Sequence, residues 1–237
     1  MTEVGDNIKA NLGSWNFSNG IEEKFDDHVR KSVIGYDLSH KIITLMSDNF
    51  IQNDSLILDL GCSTGTLTRK LFERHQHKNI NIVGYDSELG MIKKARDLIS
   101  PDCKKISYEH FNLIDQELPE NVDLISSTFT IQFVPPRSRQ NVIDKIYNSL
   151  NWGGGFFFFE KVRAPDARFQ DYINHAYNNF KLSNFSPEEI IGKANSLAGV
   201  MEPFSTEGNL GLLKRAGFVD ICTISKYLCF EGLLAIK

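Results

Sequence analysis

The sequence predicts a doubly wound α/β fold, with a mostly parallel seven-stranded sheet, helices on both faces and an antiparallel hairpin at the C-terminal edge. Three observations point to it. Short apolar runs bounded by turn residues alternate with amphipathic segments of helical period, as in successive βαβ units. One run, Ser55 to Leu60, stops at a turn carrying Gly61 and Gly65, where a helix with Leu67, Leu71 and Phe72 on one face begins. The last two apolar runs, 218–227 and 229–236, are separated by almost nothing, so they fit a hairpin and not a crossover.

The elements follow in order. Residues 1 to about 20 are polar, with Gly, Asn and Ser, and read as a loose arm. Helical periodicity then places Phe25, Val29 and Val33 on one helix and Ile42, Ile43, Leu45 and Met46 on the next, with a break at Gly35-Tyr36. Strands are expected at 55–60, 80–85, 106–111, 122–128, 155–160, 218–227 and 229–236, and helices at about 65–74, 88–99, 137–150 and 208–216. Gly153-Gly154-Gly155 reads as a turn into a buried strand, Phe156 to Phe159. Residues 161–207 break the alternation. Phe169, Tyr172, Ile173, Ala176, Tyr177 and Phe180 recur at helical spacing, and a second helix runs from 187 to about 198 behind a Ser186 cap and Pro187. This insertion lies on the carboxyl side of the sheet, where it can cap a pocket, although its aromatic stripe reads more readily as packing. The chain thus divides into residues 1–50, an arm and helices covering the site, and residues 51–237, a cofactor-binding domain with the insertion 161–207.

Composition narrows the function classes. Lys plus Arg total 26 against 30 Asp plus Glu, a net charge of −4, so no basic face for direct nucleic-acid binding is expected. The N-terminus lacks the charged and apolar regions of a secretory signal, and no apolar run reaches the roughly 18 residues of a membrane span. Cys62, Cys103, Cys222 and Cys229 form no C-x-x-C pair, which suits reduced thiols in a cytoplasmic setting. The histidines show no zinc spacing, so no metal is expected, and His75 and His77 read as solvated loop residues.

The glycine turn limits the cofactor. A phosphate loop needs Gly-Lys-Ser/Thr, where this chain has Gly65-Thr66-Leu67. In the dinucleotide fingerprint, Ser63 stands where the second glycine would let a pyrophosphate approach. Asp59 before the turn would repel phosphate and suits a cationic amino-acid ligand. The next strand ends in Asp86, about 20 residues beyond Gly65, the separation at which an acid accepts hydrogen bonds from ribose hydroxyls. Ser87 is free to cap the following helix, leaving Asp86 for the ribose.

The Asp59-x-Gly61-x-x-x-Gly65 pattern resembles that of class I S-adenosylmethionine (SAM)-dependent methyltransferases. More of the chain resembles the carboxy-S-adenosylmethionine synthases of that Rossmann-like class. The matching stretches are Phe25-Asp-Asp-His-Val, Arg30-Lys-Ser-Val-Ile-Gly-Tyr36, Leu58-Asp-Leu-Gly-Cys-Ser63, Phe129-Thr-Ile-Gln-Phe133, Asp144-Lys-Ile-Tyr147, Glu160-Lys161 and Lys214-Arg-Ala-Gly-Phe218. The resemblance implies a class I methyltransferase fold, SAM as cofactor and a homodimer. It also implies that Tyr36 and Gly61-Cys62-Ser63 contact the methionyl end. Asp86 and Ser87 would then meet the ribose and adenine edge, and Asn112 and Leu113 would flank the adenine. The Asn112 carboxamide can accept a hydrogen bond from the adenine amino group. The chain departs from the family at Asn112-Leu113, usually Asp-Ile, and at Thr128, usually Asn. It departs again at Leu212, where the family places the arginine that reads the extra carboxylate of its product.

Leucine has no donor for a carboxylate, so the leading expectation is a methyltransferase that uses ordinary SAM on a small-molecule acceptor. Candidates for a general base, should one be needed, are Tyr177, His175 and Glu160. The alternatives are a carboxy-SAM synthase using SAM and prephenate, with Arg163, Arg168 or Arg215 standing in for the arginine, and a non-catalytic SAM-binding subunit.

Overall fold

Ile57, Leu58 and Leu60 are fully sealed from solvent because their strand runs through the middle of the sheet and is covered on both faces. The computed structural model describes residues 2–18 and 20–237. Two short strands, β1 (Thr2–Glu3) and β2 (Lys9–Ala10), pair antiparallel, and helices α1 (Phe25–Ser32) and α2 (Tyr36–Met46) follow. The doubly wound unit comprises β3 (Ser55–Leu60), α3 (Thr66–His75), β4 (Ile80–Asp86), α4 (Leu89–Asp97), β5 (Ile106–His110), β6 (Val122–Thr128), α5 (Pro136–Ser149) and β7 (Leu150–Lys161). Next come α6 (Ala167–Lys181), α7 (Pro187–Ser196), α8 (Thr206–Ala216), β8 (Asp220–Tyr227) and β9 (Phe230–Ile236).

The sheet order is β5-β4-β3-β6-β7-β9-β8. Strands β5 through β7 are parallel, and β9 and β8 are antiparallel, as the near-absent connection between the last two runs predicts. The chain winds outward from β3 to β5, then returns to lay β6 on the other side of β3. The gap between β3 and β6 is therefore the topological switch point, where such sheets bind ligands at their carboxyl ends. Phe156 and Phe158 enter the core on one face with Leu58, Ile143 and Phe218. Phe157 and Phe159 enter the other with Ile57, Leu71 and Phe230. The strand period of two thus divides the four-phenylalanine run between both layers. Ser186 caps α7 as predicted: Glu189 N donates to Ser186 Oγ at 3.3 Å, and Glu189 Oε2 accepts from Ser186 N at 2.7 Å.

Three expectations fail here. The arm is not loose: Val4, Ile8 and Trp15 are buried in a small cluster with Met91 and, from the stretch after α7, Leu197 and Val200. A few apolar side chains in a polar stretch suffice when a helix presents them a surface. The glycine triplet is not a turn before a strand, since β7 already starts at Leu150. A register shift between Val122 and Leu124 absorbs the extra residues in a bulge, with Gly153 at φ 81°. His75 ends α3 and is buried, its Nε2 bonded to Ser47 Oγ at 2.7 Å.

Candidate cofactor and acceptor site

The turn after β3 is shaped by backbone. Gly61 N and Cys62 N both donate to Tyr85 O on β4, at 2.8 and 2.9 Å. Gly61 adopts φ 73° and a Cβ there would strike the Thr130 side chain. Gly65 adopts φ 76° and a Cβ would strike the Tyr108 hydroxyl. Only glycine meets both demands. Two non-glycine residues at the same sheet end also take positive φ, Ser63 at 49° and Phe129 at 59°, as strained residues do where a site is being shaped. Asp26 of α1 accepts from the Thr64 and Thr66 hydroxyls at 2.9 and 3.0 Å, which ties the first helix over the turn.

Asp59 is sealed and spends its oxygens internally, accepting from Thr68 Oγ1 at 2.7 Å and Ser126 Oγ at 3.0 Å. Burial pushes its carboxyl up to about 6. Asp86 accepts from Ser63 N and Glu88 N, both at 2.9 Å, and burial raises its pKa as well. Ser87 therefore does not free Asp86 by capping α4, because Asp86 itself binds the amide at that helix start. A carboxylate has about four acceptor positions, so two remain for incoming hydroxyl donors. Asn112 is similarly engaged: its Oδ1 accepts from Ile114 N at 2.9 Å and its Nδ2 donates to Asp115 at 2.6 Å.

A cavity of about 610 Å³ opens at the carboxyl ends of β3, β4, β6 and β7, within the size range of small-molecule sites. The N-terminal arm, α1, α6 and α7 contribute its outer walls. Of the predicted residues, Tyr36, Asp59, Gly61, Cys62, Ser63, Asp86, Ser87, Asn112, Leu113 and Thr128 line it. Tyr177 lines it too. Gly65 does not; it packs behind the turn against Tyr108.

The candidate bases fare differently. Glu160 is buried outside the cavity lining, with Ile131 N and Gln132 N donating to its two oxygens at 2.8 Å each, and burial pushes it up to about 8. It anchors the turn after β6 instead of facing an acceptor. His175 is exposed on α6, 3.1 Å from Asn179 Nδ2, and lies off the cavity. The Tyr177 hydroxyl donates to Ser32 O at 2.6 Å, and burial raises its pKa, so it is a fixed donor and not a poised base.

Leu212 does not face the cofactor region. It is 2% exposed and packs in the core between α8 and α5, because Leu212 and Leu213 form the buried stripe of α8. Arg215 is exposed, bonded to Gln140 at 2.7 Å, and neither it, Arg163 nor Arg168 lines the cavity. The basic side chains that do line it are Lys161, Lys181 and Lys193, the last pushed down by burial to about 6, with His28 and His40 held neutral by burial, near 4 and 3. Lys161 had a usable signal, since it ends β7 at the ligand-binding edge. Lys181 and Lys193 lie on insertion helices, where nothing local marks them.

A switch-point cavity with this glycine turn and an acid ending β4 defines a class I SAM-dependent methyltransferase, with SAM as its cofactor. The family described as "Methyltransferase domain" matches residues 57–154. The carboxy-S-adenosyl-L-methionine synthase of Campylobacter lari is 33% identical over 93% of this chain and 94% of its own. That of Staphylococcus epidermidis is 33% identical over 97% and 100%. The chain belongs to the carboxy-S-adenosyl-L-methionine synthase family. Among solved structures, the apo methyltransferase SibL shares the fold at TM-score 0.64 and 15% identity, over 93% of this chain and 60% of its own. Human N-acetylserotonin methyltransferase in complex with SAM does so at 0.55 and 17%, over 92% and 53%.

Proposed function

We propose that this protein transfers a methyl group from SAM to a small-molecule acceptor. The observation that carries this reading is the make-up of the cavity's basic side chains: among the described residues no arginine lines it, so the bidentate fork that best reads an added cofactor carboxylate is missing. The residues fit SAM on their own terms. Asp86 is a desolvated carboxylate with acceptor capacity left for two ribose hydroxyls, and the Gly61-Cys62-Ser63 turn keeps backbone within reach of the methionyl group. Bound there, SAM supplies an electrophilic methyl on a sulfonium. Tyr36 and Phe129, with ring centroids 6.3 Å apart, both line the cavity and give it an apolar wall. Alignment of acceptor and methyl then supplies most of the acceleration, with no base required of Tyr177, His175 or Glu160.

A second reading is carboxy-SAM synthesis from SAM and prephenate. The relatives' names favour it. Mass spectrometry of the nucleoside that co-purifies, and of the products formed from SAM with and without prephenate, decides between them. SAM or its demethylated product supports methyl transfer; a nucleoside heavier by one carboxyl group, formed only with prephenate, supports the synthase. Neither nucleoside would leave a protein that does not use this cofactor. We further propose a homodimer in the cytoplasm, in keeping with four unpaired cysteines and the exposed Phe169 and Tyr172 of α6.

A further inference from the structure

Two cavity lysines stand out for what they lack. Other sheltered lysines find backbone acceptors, Lys193 on the Trp15 ring apart. Lys145 donates to Ile114 O and Gln116 O at 3.0 and 2.8 Å, Lys78 to Ile51 O at 2.5 Å, and Lys105 to Gln76 O and Lys78 O at 2.9 and 2.8 Å. Lys161 and Lys181 do none of this. Among the described residues neither ammonium has a hydrogen bond or a carboxylate in ion-pair range. Both instead sit over one aromatic ring, that of Tyr177, at 4.6 and 4.4 Å from its centroid. One ring face offers a cation modest attraction, and two like charges on the same ring repel each other.

The surroundings supply no counter-charge. The nearby Cys229 thiol is buried, which raises its pKa and keeps it neutral. Burial, with the charge of Lys161 adding to it, pushes Lys181 down to about 8, and burial also lowers Lys161. These are two desolvated cations awaiting an anion. Their place in the cavity says whose. Tyr177 packs on Phe230 at 5.4 Å, Phe230 on Phe129 at 5.8 Å, and Phe129 on Tyr36 at 6.3 Å. That chain of rings leads from the lysines to Tyr36, which lines the cavity with the glycine turn.

We propose that Lys161 and Lys181 form an anion subsite that holds a carboxylate of the acceptor at the end of the cavity beyond the methionyl turn. The inference rests on the methyl-transfer reading and deepens it: the acceptor is an organic acid, steadied by two charge-assisted bonds while its apolar body lies against Tyr177, Phe230 and Phe129. Lys193 is not part of this subsite, since it packs on Trp15 with the N-terminal arm.

The test uses benzoate, its neutral isostere benzamide, and phenyl phosphate, titrated calorimetrically into the full chain with and without saturating SAM. Wild type is compared with Lys161→Met and Lys181→Met, each checked by thermal melting. Benzoate should bind more tightly than benzamide, each variant should weaken benzoate by about tenfold or more, and SAM affinity should hold within about twofold. Equal binding of benzoate and benzamide, including no binding of either, overturns the subsite, as does a variant that leaves benzoate unaffected. Tighter binding of phenyl phosphate overturns the carboxylate assignment. SAM affinity falling in step with lysine removal also overturns it, because the pair would then read the cofactor's own carboxylate. Failure of wild type to bind SAM, with the benzoate pattern intact, would count against the methyl-transfer reading alone.

Discussion

Asp86 carries two loads. It closes the turn by accepting from Ser63 N and Glu88 N, and it offers its remaining lone pairs to the cavity. Asp86→Ala should therefore lower SAM affinity at least about tenfold and also cost roughly 1–3 kcal/mol of stability, because two amides lose their acceptor. Calorimetry and urea titration read the two effects separately; unchanged SAM affinity would remove Asp86 from the site. Leu212 makes the opposite case. Sequence position alone suggests that Leu212→Arg would recruit a carboxylated cofactor, but the side chain lies in the core between α8 and α5. A guanidinium there is a buried charge without a partner. Leu212→Arg should lose about 3 kcal/mol or more in urea and gain no preference for carboxy-SAM over SAM in competition binding.

The glycine turn and the N-terminal arm work as units. Gly61→Ala forces a Cβ into Thr130 at φ 73° and disturbs the turn that both Gly61 N and Cys62 N anchor to Tyr85 O. SAM binding should fall by about tenfold or more, with a stability loss of about 1–3 kcal/mol; retained affinity in calorimetry would make the turn purely architectural. The arm is held through His28, whose Nδ1 lies 2.8 Å from Asp6. Burial and the charge of Lys193 depress His28 from 6.5 to about 4, against the pull of Asp6. Above pH 6.5 the imidazole is neutral folded or unfolded, so it makes no pH-dependent difference there. As pH falls from 6.5 toward 4, the unfolded chain takes up a proton that the folded one refuses, and stability drops by up to about 1.4 kcal/mol per pH unit. Urea midpoints between about pH 7 and 4.5 should fall more steeply for wild type than for His28→Gln. Parallel slopes would mean that the histidine is not what acid unseats.

At the scale of the whole molecule, α6 packs Ile173 and Tyr177 against the core but leaves Phe169 and Tyr172 53% and 65% exposed. Two exposed aromatic side chains on one helix offer a surface for a partner. Sedimentation should give twice the chain mass, and the double substitution Phe169→Asp, Tyr172→Asp should give the monomer with SAM binding retained. A wild-type monomer would end the dimer proposal. Among the described residues no helix is long and apolar enough to cross a membrane.

Much of this protein was legible along the chain. Strand and helix order, the terminal hairpin, the glycine turn and the acid ending β4 are all written in local periodicity and spacing, because a central parallel strand needs a continuous apolar run and a switch-point turn needs glycine. Gly61 and Asp86 were found that way and Tyr36 through the family resemblance, and all three line the cavity. Other features depend on what lies opposite. Glu160 and His75 are buried because distant segments close over them, and the polar arm is seated because Leu197 and Val200 meet Trp15 and Ile8. Leu212 was placed by alignment, but which face of α8 points inward is decided by α5. The lysine pair is the clearest instance. Lys161 and Lys181 stand 20 positions apart, and only the return of α6 over the end of β7 sets both ammonium groups on one ring with no acid beside them. Charge compensation is a property of three-dimensional neighbourhood, and no sequence window contains it.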